Sequence, residues 1–299
     1  MLRYFSLMTP ALPAFLRPSL SIACGLMILM QLCSGPRLHA GDATTVAPSG
    51  YHLVWADEFS AQPNGPPDPS KWGYEEGLLR NNEAQYYTKA RLENARIENG
   101  QLVIEARKES FPNPFAKGPK VASYTSASLV TRHKAEWTYG RIEVRAKLPA
   151  GQGVWPAIWT LGISHDDKLI GWPKCGEIDI MERFGQEPSL VHGTMHYFAN
   201  GKHQQQGMPF KIDHPEAAFH VYAAEWNPQH INLFVDDKNY FRFDVKNADN
   251  AGDNPFHHPH YLILNLALGG FGGGKIDDSI FPQRMTVDYV RVYQKNETP

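Results

Sequence analysis

Gly140-Arg141-Ile142-Glu143-Val144-Arg145-Ala146-Lys147-Leu148 sets an apolar residue at every second position and a charged one between. Strand side chains point alternately to the two faces of a sheet. This stretch therefore turns Ile142, Val144, Ala146 and Leu148 to one face and Arg141, Glu143, Arg145 and Lys147 to the other. A helix built from the same residues would scatter its apolar positions around the axis. The same period governs Ile231-Asn232-Leu233-Phe234-Val235 and Val287-Asp288-Tyr289-Val290-Arg291-Val292-Tyr293, and Leu102-Val103-Ile104-Glu105-Ala106 is an apolar run of strand length. Gly, Asn, Asp and Pro clusters separate these segments. Beyond the N-terminal region no helical period persists for 12 residues, and Pro215-Glu216-Ala217-Ala218-Phe219 allows a single turn. Many short strands and few helices predict an all-β sandwich. A curved sheet in such a sandwich presents a concave face lined by every second side chain.

The chain has 299 residues, room for one large domain or two modest ones. No repeat or low-complexity linker divides residues 51–299, so residues 41–299 are expected to form a single domain. Aromatics make up 12% and the formal net charge is -2. That balance excludes a long disordered tail protein and a polybasic nucleic-acid binder. Residues 1–40 read as a secretory signal: Arg3 and Arg17 precede an apolar run from Leu20 to Leu32, and Leu38-His39-Ala40 ends it. The run is shorter than the roughly 20 residues a spanning helix needs. A retained membrane anchor is the competing reading, and lipid modification of Cys33 is disfavoured by the bulk of Leu32. Without residues 1–40 the chain keeps 26 basic against 31 acidic residues and one cysteine, Cys175. The expectation is a secreted or periplasmic protein with no internal disulfide and no stable membrane association after cleavage.

Chemistry concentrates in Cys175-Gly176-Glu177-Ile178-Asp179-Ile180-Met181-Glu182-Arg183. On a strand Glu177 and Asp179 share a face while Ile178 and Ile180 point to the core. Glu182 falls on the wrong face unless one extra residue intervenes, and a β-bulge at Met181 would restore it. Carboxylates crowded on one strand face repel one another, so folding alone is a weak reason for the pattern. Four strand steps separate the two glutamate Cα atoms by about 13 Å, and side chains leaning together close most of that. Carboxyls about 5–5.5 Å apart hydrolyse glycosides with retention, one as nucleophile and one as acid/base. Asp179 between them can hydrogen-bond the nucleophile and help separate the two pKa values. Spacing leaves open which glutamate takes which role.

This pattern resembles glycoside hydrolase family 16, whose signature is Glu-x-Asp-x-x-Glu or a form one residue shorter. The longer form is similar to the laminarinase (endo-β-1,3-glucanase) branch. Matching segments run through residues 51–295: Leu53-Val54-Trp55-Ala56-Asp57-Glu58-Phe59, Asn81-Asn82-Glu83-Ala84-Gln85-Tyr86-Tyr87, Trp155-Pro156-Ala157-Ile158-Trp159, Trp172-Pro173 with Cys175-Gly176, His192-Gly193-Thr194-Met195-His196, and Asn265-Leu266-Ala267-Leu268-Gly269-Gly270. The resemblance implies a concanavalin A-like β-jelly-roll sandwich with a concave substrate cleft. It further implies Glu177 as nucleophile, Asp179 as assisting carboxylate and Glu182 as acid/base. The activity implied is retaining endo-hydrolysis of laminarin-type β-1,3-glucan, with mixed-linkage β-1,3-1,4-glucan as a second substrate, by a monomer. A β-glucan-binding protein lacking catalysis and a wall-remodelling transglycosylase are the alternatives on the same fold. No metal or cofactor is required for catalysis. A structural Ca²⁺ is implied at positions matching Glu58, the backbone carbonyl of Gly100, and Asp288.

Sugar rings stack on aromatic faces, and Trp155, Trp159 and Trp172 stand just ahead of the carboxylate strand. The first two are four apart and share a strand face, so all three are expected to line the cleft, core packing being the alternative. Asn82 is expected to contact sugar hydroxyls or else to sit in a turn. His196 is expected to face the cleft near Glu182 or else to be a core histidine. Arg141 and Arg145 suit ion pairing and ligand contact equally. His257-His258-Pro259-His260 reads as a loop, since adjacent histidines rarely converge on one metal. Gly269 to Gly274 lacks the Lys-Ser/Thr pair of a phosphate cradle and reads as a mobile loop bordering the cleft.

Overall fold

The computed structural model describes residues 47–296. They fold as two stacked, almost wholly antiparallel sheets. One sheet runs in the order Lys202–Lys211, Leu190–Ala199, Glu177–Glu182, Val154–Gly162, His260–Leu268, Ser128–Val130 and Gly73–Tyr74. The other has ten strands, with Gly140–Lys147 between His220–Trp226 and Gln283–Lys295. Gln85–Tyr87 and Val121–Ser126 pair in parallel. The described residues belong to one compact unit, and no helix among them is long and apolar enough to cross a membrane. The expected signal, residues 1–40, lies outside the described residues.

Alternation places the core between the sheets. Ile142, Val144 and Ala146 from the ten-stranded sheet meet Ile158, Ile178, Leu262, Leu264 and Leu266 from the other. The intervening charges on the outer face neutralise one another. Arg141 bonds Glu143 at 2.6 Å and Glu225 at 2.9 Å, and Arg145 bonds Asp288. Both arginines are structural, far from the concave sheet. Trp137 and Trp226 are buried in the core, the latter donating to the Phe256 carbonyl at 2.9 Å.

The decisive irregularity lies on Glu177–Glu182. Against Val154–Gly162 the register runs Asp179 to Trp159 and then Met181 to Ile158, which leaves Ile180 without a partner. Against Leu190–Ala199 the same slip separates Asp179, opposite Thr194, from Glu182, opposite His192. The sequence placed the extra residue at Met181; the structure spreads the bulge over Ile180 and Met181. Both are fully buried in the core. Two consecutive apolar side chains facing the same way are what return Glu182 to the face of Glu177 and Asp179.

Candidate active site

The concave face of the seven-stranded sheet carries a cleft of about 290 Å³ lined by Trp155, Trp159 and Trp172, by Glu177, Asp179 and Glu182, and by a polar end wall. The three strand carboxylates therefore open into one space. Each glutamate is held by an indole. Trp155 Nε1–H donates to Glu182 Oε1 at 2.8 Å, and Trp172 Nε1–H donates to Glu177 Oε2 at 3.0 Å. Trp155 reaches Glu182 because it lies on the adjacent strand two residues from Ala157, the partner of Glu182. Trp172 arrives from the helical turn Gly171–Lys174 that leads into the carboxylate strand, and it stays 47% exposed, so its ring is available over the cleft. Trp159 is nearly buried and donates to Asn265 Oδ1 at 2.7 Å, while Asn265 donates to the Tyr87 hydroxyl at 3.0 Å.

Electrostatics follow from burial. Asp179 is 3% exposed. Burial and the nearby Glu182 push it well above the usual carboxylate range. Glu177 is raised well above its ordinary value by burial and then by Asp179, with His196 pulling the other way. Glu182 is raised by burial, and the Trp155 bond opposes the rise by stabilising the ionised form. Groups this close titrate as a set, and a single proton held between Glu177 and Asp179 relieves the repulsion of both.

His196 sits opposite Glu177 in the ladder, with Nε2 at 3.9 Å from Glu177 Oε1 and 3.1 Å from Asp179 Oδ2. The expectation that it lies near Glu182 holds to the extent that its charge favours the ionised form of Glu182, but the residue opposite Glu182 in the ladder is His192, which pairs with Glu187 at 2.8 Å. Of the two readings of Asn82, the structure shows the turn, and the sugar-contact reading is corrected. Asn81 and Asn82 both have positive φ, 53° and 54°, in a turn closed by the Glu83 N–H on the Arg80 carbonyl at 3.0 Å. That turn aims Asn81 at the cleft and leaves Asn82 in the neighbouring hollow beside Lys117 and Tyr124.

The calcium positions do not fit as free donors. Both Glu58 carboxylate oxygens accept from Arg291 at 2.7 Å, and Asp288 accepts from Arg145. Two guanidiniums already neutralise the pair, so no calcium is placed there. Of the histidine run, His260 is buried against Thr160, His257 meets Tyr139 and His258 meets Asp253 at 2.6 Å, three separate environments. Gly270–Gly273 forms a helical turn rather than a loose loop, and Gly272 packs against Trp155, one of the rings that line the cleft. A Cβ on Gly272 would lie 2.5 Å from Trp155 Cε2, so glycine lets this turn close over the indole.

Sequence reasoning missed the end wall. Glu75 accepts a forked bond from Arg80 and a bond from the Ser128 hydroxyl at 2.6 Å. Burial alone would raise Glu75, but Arg80 and Ser128 hold it below its ordinary value. The Arg80 guanidinium also lies over the Trp159 ring at 4.9 Å. Glu83, raised by burial, accepts from Gln85 at 2.8 Å. Nothing in the segment Asn81-Asn82-Glu83 signals that Glu75 folds back onto Arg80.

The glycosyl hydrolases family 16 model matches residues 82–291. A β-glucanase of Rhodothermus marinus is 45% identical over 276 residues, covering 89% of this chain and 93% of the relative. The X-ray structure of the laminarinase from Rhodothermus marinus superposes with a TM-score of 0.74 at 47% identity, covering 83% of this chain and 98% of the other. A mutant of a non-specific endo-β-1,3(4)-glucanase, solved presenting a 1,3-β-D-cellobiosyl-glucose at its active site, gives 0.74 at 45% identity, covering 84% and 97%. A jelly-roll sandwich, a carboxylate strand corrected by a bulge and this breadth of likeness lead to one assignment: the chain belongs to glycosyl hydrolase family 16.

Proposed function

We propose that this hydrolase is a retaining endo-β-1,3-glucanase acting on laminarin-type β-glucans, with mixed-linkage β-1,3-1,4-glucan as a second substrate. The observation that carries the reading is the pairing of each cleft glutamate with its own indole N–H, Glu182 with Trp155 and Glu177 with Trp172. Those indoles belong to the rings that wall the cleft, so the groups that bind a pyranose also set the carboxylates. The Rhodothermus marinus relatives, a β-glucanase and a laminarinase, support the substrate class.

In this reading Glu177 attacks the anomeric carbon as a carboxylate, and Glu182 passes its proton to the departing glycosidic oxygen. The bond to the leaving sugar breaks as the ester to Glu177 forms. Water then attacks the same carbon, Glu182 takes the water proton, and the ester opens. Asp179 is the deeper group and holds the proton shared with Glu177, which leaves Glu177 ionised between that proton and the Trp172 N–H. The Trp155 N–H favours the ionised Glu182 needed as base in the second half.

Purified residues 41–299 should release oligosaccharides from laminarin before glucose, with the β-anomer appearing first by NMR. Turnover of agarose or carboxymethylcellulose with silence on laminarin would overturn the substrate, and initial α-anomer would overturn retention. Products longer than the starting chains would assign a transglycosylase, and binding of laminarin without any turnover a recognition protein. We further propose export to the periplasm or medium as a monomer, tested by cell fractionation and light scattering of the purified chain.

A further inference from the structure

The geometry points to a transition-metal site inside the cleft, in which Asp179 Oδ2, Glu177 Oε1 and His196 Nε2 hold Zn²⁺ or a cation of like chemistry and thereby silence the enzyme. These ligand atoms all lie within 4.8 Å of one another. His196 Nε2 is 3.1 Å from Asp179 Oδ2 and 3.9 Å from Glu177 Oε1. A tetrahedral zinc with bonds of about 2.0–2.2 Å spaces its ligands roughly 3.3–3.6 Å apart, between those two separations. The two imidazole separations therefore need shifts of a few tenths of an ångström, and the two carboxylates, within 4.8 Å of each other, draw together on the cation.

A second observation is the unpartnered oxygen of Asp179. Asp179 Oδ2 is buried and has no hydrogen-bond partner, although the imidazole nitrogen is only 3.1 Å away. The ring N–H is not aimed at it. A buried carboxylate oxygen left without a donor is satisfied by a cation held between it and the imidazole nitrogen. The opposite ring nitrogen is occupied: His196 Nδ1 lies 3.0 Å from His203 Nε2. An outer hydrogen bond of this kind orients a ligating imidazole and, with Nδ1 protonated, leaves the lone pair on Nε2. The ladder register, Glu177 directly opposite His196, fixes the two donors without any loop.

The donor set decides the cation. One imidazole and two carboxylates suit zinc, copper or nickel, whereas Mg²⁺ and Ca²⁺ take shells made of oxygen. Three protein ligands leave one position open toward the cleft. A cation there ties up the carboxylate assigned as nucleophile together with its proton-sharing neighbour, so metal and productive sugar exclude each other. No bond to the substrate forms or breaks in this event. The inhibition rests on the proposed role of Glu177; the binding does not.

The test is isothermal titration of ZnCl₂ into the metal-free full-length enzyme at pH 7, with the visible spectrum of the Co²⁺ form as a report on coordination. One site is expected, with tetrahedral cobalt bands and no displacement by excess Mg²⁺ or Ca²⁺. Asp179→Asn and His196→Gln should each weaken zinc at least about tenfold, and His203→Phe about tenfold through ring orientation alone. His258→Ala, at an exposed histidine beside Asp253, should bind as the parent does. Far-UV circular dichroism confirms folding, and His203→Phe carries the test if Asp179→Asn fails to fold. Absence of a zinc site, unchanged affinity in His196→Gln and His203→Phe, loss in His258→Ala, or ready displacement by Mg²⁺ would each overturn the site. Titration reads the metal whether or not laminarin is the substrate. A bound metal that leaves hydrolysis intact would refute the silencing alone.

Discussion

Trp155→Phe separates the roles of the two glutamates. The substitution keeps an aromatic face in the cleft and removes the N–H that Glu182 Oε1 accepts at 2.8 Å. A hydrogen bond to a buried charged group contributes about 1.5–3 kcal/mol, and one pKa unit corresponds to about 1.4 kcal/mol. The bond favours the ionised form of Glu182, so its loss should raise the Glu182 pKa by about 1–2 units. As acid/base, Glu182 must enter the first step protonated, and its pKa sets the alkaline limb of the pH profile. That limb of kcat/KM should move to higher pH by about 1–2 units while the acid limb stays in place. Initial-rate profiles on laminarin from pH 4 to 10, for parent and variant, supply the comparison. Movement of the acid limb would make Glu182 the nucleophile and reverse the assignment. A profile that only loses height would mean that the indole binds sugar without tuning the carboxylate.

Glu177→Gln should abolish laminarin turnover while shifting the melting temperature by only a few degrees; residual turnover near the parent rate would refute the nucleophile assignment. Deleting Met181 should straighten the strand, turn Glu182 to the core and end activity, at a stability cost of about 2–5 kcal/mol from the lost buried side chain alone. Met181→Leu keeps the bulge and nearly the volume, should cost under about 1.5 kcal/mol, and should stay active, so activity in the deletion or its loss in the leucine variant would sink the bulge argument. Burial lowers His260 to about 4, while the unfolded chain binds the same proton near 6.5. The unfolded state therefore takes up protons first as pH falls, and stability should drop by about 2–3 kcal/mol between pH 6.5 and 4.5. His260→Gln should remove that part of the slope in urea unfolding at the two pH values, and equal slopes would disprove the contribution.

Local sequence carried much of the site because its carboxylates lie on one strand. Period-two alternation in 140–148 and the single surplus residue between Asp179 and Glu182 determine faces without knowledge of neighbouring strands. What was lost depends on pairing. Placing His196 requires the register of Leu190–Ala199 against the carboxylate strand, which sets His196 against Glu177 and His192 against Glu182. Choosing Asn81 over Asn82 depends on a turn with two positive φ values, and either asparagine accepts that conformation. Glu75 meets Arg80 across a loop and Ser128 across 53 residues, a convergence no short motif encodes. Arginine partners for Glu58 and Asp288 likewise come from segments distant in the chain, so the calcium positions implied by the family resemblance gave no sign in the sequence that their carboxylates are already paired.

The carboxylate strand is hydrogen-bonded on both sides, to Val154–Gly162 and to Leu190–Ala199. An edge strand bearing crowded acids can fray and let its charges part; an interior one cannot open without breaking two ladders and uncovering Ile178, Ile180 and Met181. Mutual repulsion at the site is therefore carried by the stability of the whole domain. Neutralising Glu177 should move the melting point upward within its few degrees, and heat inactivation should track global unfolding, with no cooler stage at which the cleft alone is lost.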